Sequence, residues 1–492
     1  MQSRSDPHRP RPPPHRAPAS RARADPLTAA GSRRRTEALL LVFVVAIATL
    51  GHASAGLAMN DELPPNLAGF TISMALLSLV GHLGVRRFAA RADPLVLPLA
   101  MLLTGLGLVL LHRLDQGYIE RYGADANAPG QLLWTVVGVA ACLVVLGLLR
   151  DHRLLQRFIY ITMAAALVLL IAPAFFGADT YGAKRWIILF GFSLQPGEFV
   201  KIMIAVFFAG YLVVHRDSLA LTGRKVLGVR LPPMRQLGPI VTVWIVSMLV
   251  LVFERDLGTS LIFFGVFVVM LYVATERTGW IACGLVMASI GAFVVGSTEP
   301  HVQARVAAWL EPLSYYRENR PAGVASDQSA QALFSFGTGG VSGTGLGLGH
   351  PELIKFAGRS DFILTTVGEE LGLAGVMAVL LLYALLVQRG LRMALGARDP
   401  FGKLLAVGLA SALALQVFVV AGGVTGLIPL TGKALPFLAK GGSSLLANWI
   451  MVALLLRISD SAERQREADA LGPAETAITP PAAQPRAGAG AG

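Results

Sequence analysis

Long apolar runs alternate with short polar or basic segments along this chain, and the runs exceed the strands and amphipathic helices of a water-soluble fold. A hydrocarbon core about 30 Å thick needs roughly 20 residues of helix to cross it. By that ruler the sequence predicts twelve spans, at about 37–58, 65–85, 94–113, 131–149, 154–176, 196–214, 236–254, 257–275, 279–298, 362–387, 402–427 and 441–457. The predicted fold class is all-α, a polytopic membrane helical bundle.

Most predicted connections are short. The exceptions are 177–195 and the segment 299–361, and a connection as long as the second inside a compact bundle is functional or disordered. Its apolar stretch at 332–337 and its glycines, from Gly339 to Gly349, predict partial order. The expected organisation is a disordered basic tail at 1–36, a transmembrane domain at 37–457 and a second disordered tail at 458–492, rich in Ala, Pro and Gly.

Composition supports this division. Of 492 residues, 54% are apolar and 15% charged, with a mean hydropathy of +0.61. A soluble domain carries about 45–50% and about 25%, so a soluble enzyme is excluded. The net charge of +12 concentrates in the first tail, where nine Arg stand against Asp6 and Asp25. That location argues for a solvated tail and against a nucleic-acid partner. The tail lacks an apolar run followed by a small-residue cleavage site, so it does not read as a cleaved signal peptide. Arg33, Arg34 and Arg35 abut the first span, and alternate short loops hold Arg86, Arg87, Arg91, Arg150, Arg153, Arg216, Arg224, Lys225, Arg230, Arg235, Arg277, Arg389, Arg392 and Arg398. The positive-inside rule then places these loops and both termini in the cytoplasm of a multi-pass plasma-membrane protein. Cys142 and Cys283 fall in apolar runs and predict neither a disulfide nor a zinc site. His52 and His82, isolated on apolar stretches, read as core residues.

Charged groups at membrane depth are expensive and mark functional candidates. In this topology they collect on the extracytoplasmic side: Lys184 and Arg185 before span six, Glu198 and Lys201 at its start, Glu254, Arg255 and Asp256 between spans seven and eight, and Asp361, Glu369 and Glu370 around the start of span ten. Singly, Glu198 and Asp361 could complement a helix dipole, and Glu198 with Lys201 could be a local i,i+3 pair. Their convergence on one side favours a site. The glycine run lacks the spacing of a phosphate-cradling loop.

Several stretches together resemble the SEDS family of RodA, FtsW and SpoVE, and within it the RodA type of actinobacteria. They are Gly-Ala-Lys-Arg-Trp-Ile-Ile-Leu (182–189), Ser-Leu-Gln-Pro-Gly-Glu-Phe-Val-Lys (193–201), Glu-Arg-Asp-Leu-Gly-Thr-Ser (254–260), Ser-Asp-Phe-Ile-Leu-Thr-Thr-Val-Gly-Glu-Glu-Leu-Gly (360–372), Gly-Leu-Ile-Pro-Leu-Thr-Gly (426–432) and Gly-Gly-Ser-Ser (441–444). The two extra amino-terminal spans, the stretch 86–98 and His-Arg-Leu-Asp at 112–115 carry the actinobacterial likeness. The resemblance implies a peptidoglycan glycosyltransferase that polymerises lipid II on the outer membrane face, with a class B penicillin-binding transpeptidase as partner. The chemistry fits the residues: a pyrophosphate leaving group needs cations, and a sugar hydroxyl needs a carboxylate base. Arg185 and Lys201 are the expected pyrophosphate contacts, Glu198 orients Lys201, and Lys184, Asp256, Asp361 and Glu369 complete the expected substrate site. No metal ligand set is identified; a divalent cation, Mg²⁺ or Mn²⁺, is the candidate cofactor as companion to the pyrophosphate.

The sequence departs from the family pattern where the base belongs. Arg-Val-Ala-Ala-Trp-Leu-Glu-Pro (305–312) and Gln-Ala-Leu-Phe-Ser-Phe-Gly-Thr-Gly-Gly (331–340) match, but the Asp-Pro-x-Gly-x-Gly-Tyr-Gln element between them does not. Aligning Pro321 and Gly323 with that element puts Arg320 at the aspartate, and an arginine stays protonated. Glu318 and Asp327 are the substitute base candidates. Lys440 stands where an aromatic residue is usual. Three readings follow: an active polymerase, a catalytically silent regulator or scaffold of peptidoglycan synthesis, and a lipid II transporter, the last lacking the internal repeat and midplane charges of that class.

Overall fold

The structure, a computed structural model, describes residues 26–470 apart from 181–182, 190–191, 317–323 and most of 220–255. Its helices are α1 (Pro26–Asn60), α2 (Leu67–Phe88), α3 (Val96–Tyr122), α4 (Ala128–Leu148), α5 (Leu154–Arg157), α6 (Ile159–Phe176), α7 (Pro196–Leu219), α8 (Leu257–Thr275), α9 (Thr278–Thr298), α10 (Pro300–Leu310), α11 (Val324–Gly339), α12 (Ile363–Glu370), α13 (Gly372–Gly396), α14 (Pro400–Val424) and α15 (Gly442–Ala470). Among the described residues, ten helices are long and apolar enough to cross a membrane. The chain is a multi-pass membrane protein.

Burial sorts the helices into layers. α3, α14 and α15 are enclosed along most of their length, with α14 packed against α7, α8 and α13, and α15 against α4. Peripheral helices turn large apolar side chains outward, such as Phe43 on α1 and Phe293 on α9, as lipid contact requires. α1 and α2 lie beside α3 and add to the bundle's flank.

Several predicted boundaries shift, each for a local reason. The 154–176 span divides into α5 and α6. Of the 236–254 span, residues 241–246 are helical, and most of the rest lies outside the described residues. The 362–387 span breaks into α12 and α13 at Gly372, whose φ of +66° is left-handed. Its backbone meets residues 340–343 closely: Leu373 N–H donates to Gly340 O at 2.9 Å and Ala374 N–H to Val341 O at 3.1 Å. The freed amides at the start of α13 are thereby satisfied.

The described residues of the 299–361 connection form α10, a 3-10 turn at Pro312–Tyr316, α11 and a second 3-10 segment at Pro351–Arg359. The end of the bundle that carries it is termed the loop end. At that end the 177–195 connection forms a three-stranded antiparallel sheet, β1 (Gly177–Thr180), β2 (Ala183–Leu189) and β3 (Phe192–Leu194), and beyond the far end of α7 the pairs Lys225–Val226 and Val229–Arg230 form a two-stranded ribbon. These small sheets are additions to the all-α expectation.

Helix also extends into both predicted tails, from Pro26 in α1 and to Ala470 in α15. The extensions are tied by ion pairs, Arg33 with Glu463 and Arg91 with Glu467, while Arg398 meets Asp469. His82, read from sequence as an isolated core residue, pairs with the buried Glu37 of α1 at 2.7 Å. His52 is buried, bonded to Asn66 at 3.0 Å and stacked on Phe70. Cys142 is buried and Cys283 half-buried, both free thiols.

Candidate functional site

At the loop end, α7 starts directly after β3, which sets Glu198 in its first turn and Lys201 one turn further on the same face. Lys201 Nζ donates to Glu198 Oε2 at 2.8 Å, to Gln416 Oε1 of α14 at 2.7 Å and to Asn448 Oδ1 of α15 at 3.1 Å. An ammonium has three protons, and all three have acceptors. Lys201 is buried, and its three acceptors tie Glu198 to α14 and α15.

The loop between α14 and α15 supplies a second ammonium. Lys433 Nζ lies 3.4 Å from Glu198 Oε1 and 3.3 Å from Asp256 Oδ2. Asp256 caps α8, accepting from Thr259 N–H at 2.9 Å and from Thr259 Oγ1 at 2.7 Å. Ser444 Oγ donates to Glu198 Oε2 at 3.2 Å, and Gln416 Nε2 donates to Ala434 O at 3.0 Å, anchoring the loop. A Cβ on Gly258 would lie 2.3 Å from Lys433 Cγ, so only glycine leaves the lysine stem its path. Among the described residues, two carboxylates and two ammonium groups balance inside a buried network, the condition under which charge survives in an apolar bundle.

A second polar cluster ties the 299–361 connection to α3. Arg113 Nε donates to Glu370 Oε1 at 2.5 Å and its Nη2 to Gly349 O at 2.5 Å, with Glu352 3.6 Å away. Arg359 pairs with Asp115 at 3.0 Å and lies over the Tyr118 ring at 4.3 Å. Asp115 Oδ2 also accepts from the Asn127 and Ala128 amides at 2.7 and 2.6 Å, where α4 begins. His350 N–H donates to Glu369 Oε1 at 2.6 Å. The glycine run is turned by positive φ at Gly343, Gly345 and Gly347, and its chain lies so close to Glu370 that a Cβ on Gly343 would meet Glu370 O at 2.2 Å.

Of the residues singled out from sequence, Glu198, Lys201 and Asp256 converge in the first network, and Glu369 with Glu370 joins the second. Asp361 stands between the 3-10 segment and α12, where its Oδ1 accepts from Ser360 Oγ at 2.7 Å. Asp327, on the first turn of α11, is buried and takes a hydrogen bond from Lys355 Nζ at 2.7 Å. Lys184 and Arg185 lie on β2. Glu318 and Arg320, with Arg255 and Glu254, lie outside the described residues.

Sequence reasoning missed Lys433, Gln416, Asn448, Arg113, Arg359 and Glu352. Lys433 had a signal, since it is the one charged residue between Thr425 and Ala439. Gln416 and Asn448 had a weaker one, as amides inside spans. Among the described residues, no three His, Cys, Asp or Glu side chains converge as a metal site would require.

The fold and the networks define a class: a polytopic helical membrane protein whose buried charges gather at one end of the bundle. Residues 93–464 match the family of cell cycle proteins FtsW, RodA and SpoVE, and the chain belongs to that family. It is similar to peptidoglycan glycosyltransferase RodA of Mycobacterium leprae (strain TN), 46% identical over 434 residues that cover 88% of this chain and 91% of the relative. Its fold is like that of a chain from a peptidoglycan synthase complex that coordinates polymerization and crosslinking, at a TM-score of 0.53 and 24% identity, covering 72% of this chain and 96% of that one. It is also like rod shape determining protein RodA of Thermus thermophilus, at a TM-score of 0.51 and 21% identity, over 75% and 96%.

Proposed function

We propose that this chain is a peptidoglycan glycosyltransferase of the RodA type, joining the sugar of lipid II to a growing glycan strand at the outer face of the plasma membrane. The observation that carries the reading is the buried Glu198–Lys201–Lys433–Asp256 network at the loop end, in a chain 46% identical to a peptidoglycan glycosyltransferase over most of both lengths. Charge held at membrane level beside an ordered loop suits a lipid-linked donor whose pyrophosphate departs as the new bond forms.

In this reading both termini are cytoplasmic and the loop end faces outward. Arg185 contacts the pyrophosphate, Lys184, Asp361 and Glu369 line the approach, and a class B penicillin-binding transpeptidase crosslinks the product. The buried network fixes the ends of α7, α8 and α15 around the donor. A divalent cation, Mg²⁺ or Mn²⁺, would accompany the donor through its pyrophosphate oxygens, a mode that asks only one or two carboxylates of the chain. Glu318 or Asp327 takes the acceptor hydroxyl proton, a role worth about 10²–10⁴-fold in rate.

Arg320 at the family's aspartate position favours one second reading, a silent member that regulates or scaffolds synthesis. Lipid II polymerisation by the purified protein, alone and with its cognate transpeptidase, separates the two. Polymer from the unmodified protein that shortens in Glu318→Gln or Asp327→Asn at unchanged membrane abundance supports catalysis and names the base. No polymer under either condition assigns the regulatory role.

A further inference from the structure

The loop that carries Lys433 also carries Lys440, two residues before α15 begins. Its backbone is fixed on both sides. Lys440 N–H donates to Arg359 O at 2.8 Å, Gly441 N–H donates to Gln131 Oε1 at 3.1 Å, and Gln131 Nε2 donates to Ala439 O at 3.3 Å. The side chain is different: it is exposed, and its Nζ makes no hydrogen bond or ion pair among the described residues.

The surrounding charge leaves the ammonium unbalanced. Its charged neighbours are Arg359 and Asp115. Asp115 is already engaged by Arg359 at 3.0 Å and by two backbone amides, so it cannot also neutralise Lys440. One guanidinium and one ammonium therefore face one carboxylate, and the excess positive charge sits on the segment that also carries Lys433. Four residues further on, Ser444 bonds Glu198. This ammonium is exposed on a backbone pinned to Arg359 and Gln131, in the same segment that supplies Lys433 and Ser444 to the buried charged network.

We propose that Lys440 is the solvent-side anion contact of this site, binding a phosphate of the donor's pyrophosphate or a carboxylate of its peptide stem. The proposal rests on the glycosyltransferase reading and adds a substrate-contacting residue to it. No bond is made or broken at Lys440; its ammonium supplies one charge-assisted hydrogen bond to the donor, in the ground state and during transfer alike.

The test uses the full-length protein with its cognate transpeptidase. Lys440→Met should raise the KM for lipid II about tenfold, the loss of one hydrogen bond to a charged group, with kcat unchanged, and Lys440→Arg should restore it. Two probes identify the anion. Undecaprenyl pyrophosphate should bind Lys440→Met about tenfold more weakly if phosphate is the partner. If the stem carboxylate is the partner, undecaprenyl pyrophosphate binds both proteins equally, and lipid II with an amidated stem shows no difference between them. Wild-type KM together with wild-type undecaprenyl pyrophosphate affinity in Lys440→Met would overturn the proposal. Should the unmodified protein make no polymer, the catalytic reading alone fails, and direct binding of undecaprenyl pyrophosphate and of lipid II to the two proteins still decides the role of Lys440.

Discussion

Lys433 and Glu198 are 235 positions apart in the chain, and their charged atoms lie 3.4 Å apart inside the bundle. The contact closes the loop between α14 and α15 onto the first turn of α7. With Asp256 on the other side of Lys433, it links the starts of α7 and α8 through one lysine.

Removing one member of a buried charged set strands its partner, at a cost of about 3–5 kcal/mol in buried sites. Lys433→Met should therefore lower the thermal midpoint of the detergent-solubilised protein as much as Lys201→Met does. Combining Glu198→Gln with either lysine change should cost less than the sum of the single losses. Strict additivity in the double-mutant cycle would show that the groups act independently.

The break between α12 and α13 depends on Gly372. A side chain there must adopt a left-handed φ of +66°, costing about 1–2 kcal/mol, and its Cβ would lie 2.4 Å from Gly343 N and from Val341 O. Gly372→Ala should reduce accumulation and thermal stability sharply. The control is Gly69→Ala in α2, where nothing lies within 4 Å of the added carbon and stability should hold or rise.

Asp399 gives a pH dependence whose sign follows from its surroundings. Burial pushes its carboxyl up, but the hydrogen bond and charge of His152, the Gly402 amide and Arg153 outweigh that and hold it at about 2, below the ordinary 3.8. A depressed carboxyl stabilises the fold fully above about pH 4, and the contribution disappears as pH falls through 2. Thermal midpoints measured between pH 2 and 6 should decline over that lower window in the unmodified protein. The decline should flatten in Asp399→Asn, and an unchanged profile in the variant would remove Asp399 from the account.

Orientation is open to direct measurement. In a background with Cys142 and Cys283 replaced by alanine, cysteine at Ser326 should react with an impermeant thiol reagent added to intact cells. Cysteine at Ser218 should react only after lysis. The opposite pattern would put the charged networks on the cytoplasmic side and remove the basis for outer-face polymerisation.

Much of the fold was legible because lipid imposes a simple rule: about 20 apolar residues span it, and charge within it needs a reason. Glu198, Lys201 and Asp256 were found that way, since each is a charge at the edge of a long apolar run. The rule also explains the misses. Apart from Glu369 and Glu370 the run from Ile363 through α13 carries no charge until Arg389, so its averaged hydropathy passes over the break at Gly372, which is visible only once residues 340–343 are seen to supply its hydrogen bonds. The extension of α15 to Ala470 is polar and has no span signature; it is held by pairs within the helix, such as Arg464 with Asp460, and by Arg33 and Arg91 from distant segments.

The chain's own pattern determined that this is a helical membrane protein with charge gathered on one side, because burial in lipid acts on each residue according to its own side chain. Which charges meet was decided only in three dimensions. Glu198 and Lys201 share a helical turn and could be paired from their spacing, whereas Lys433, Gln416 and Asn448 reach them from two other helices and a loop. Arg113, placed by sequence at the edge of a span, finds Glu370 257 positions later. Local spacing carries information over one turn of helix; beyond that, partner choice depends on how the helices pack, and no single segment encodes it.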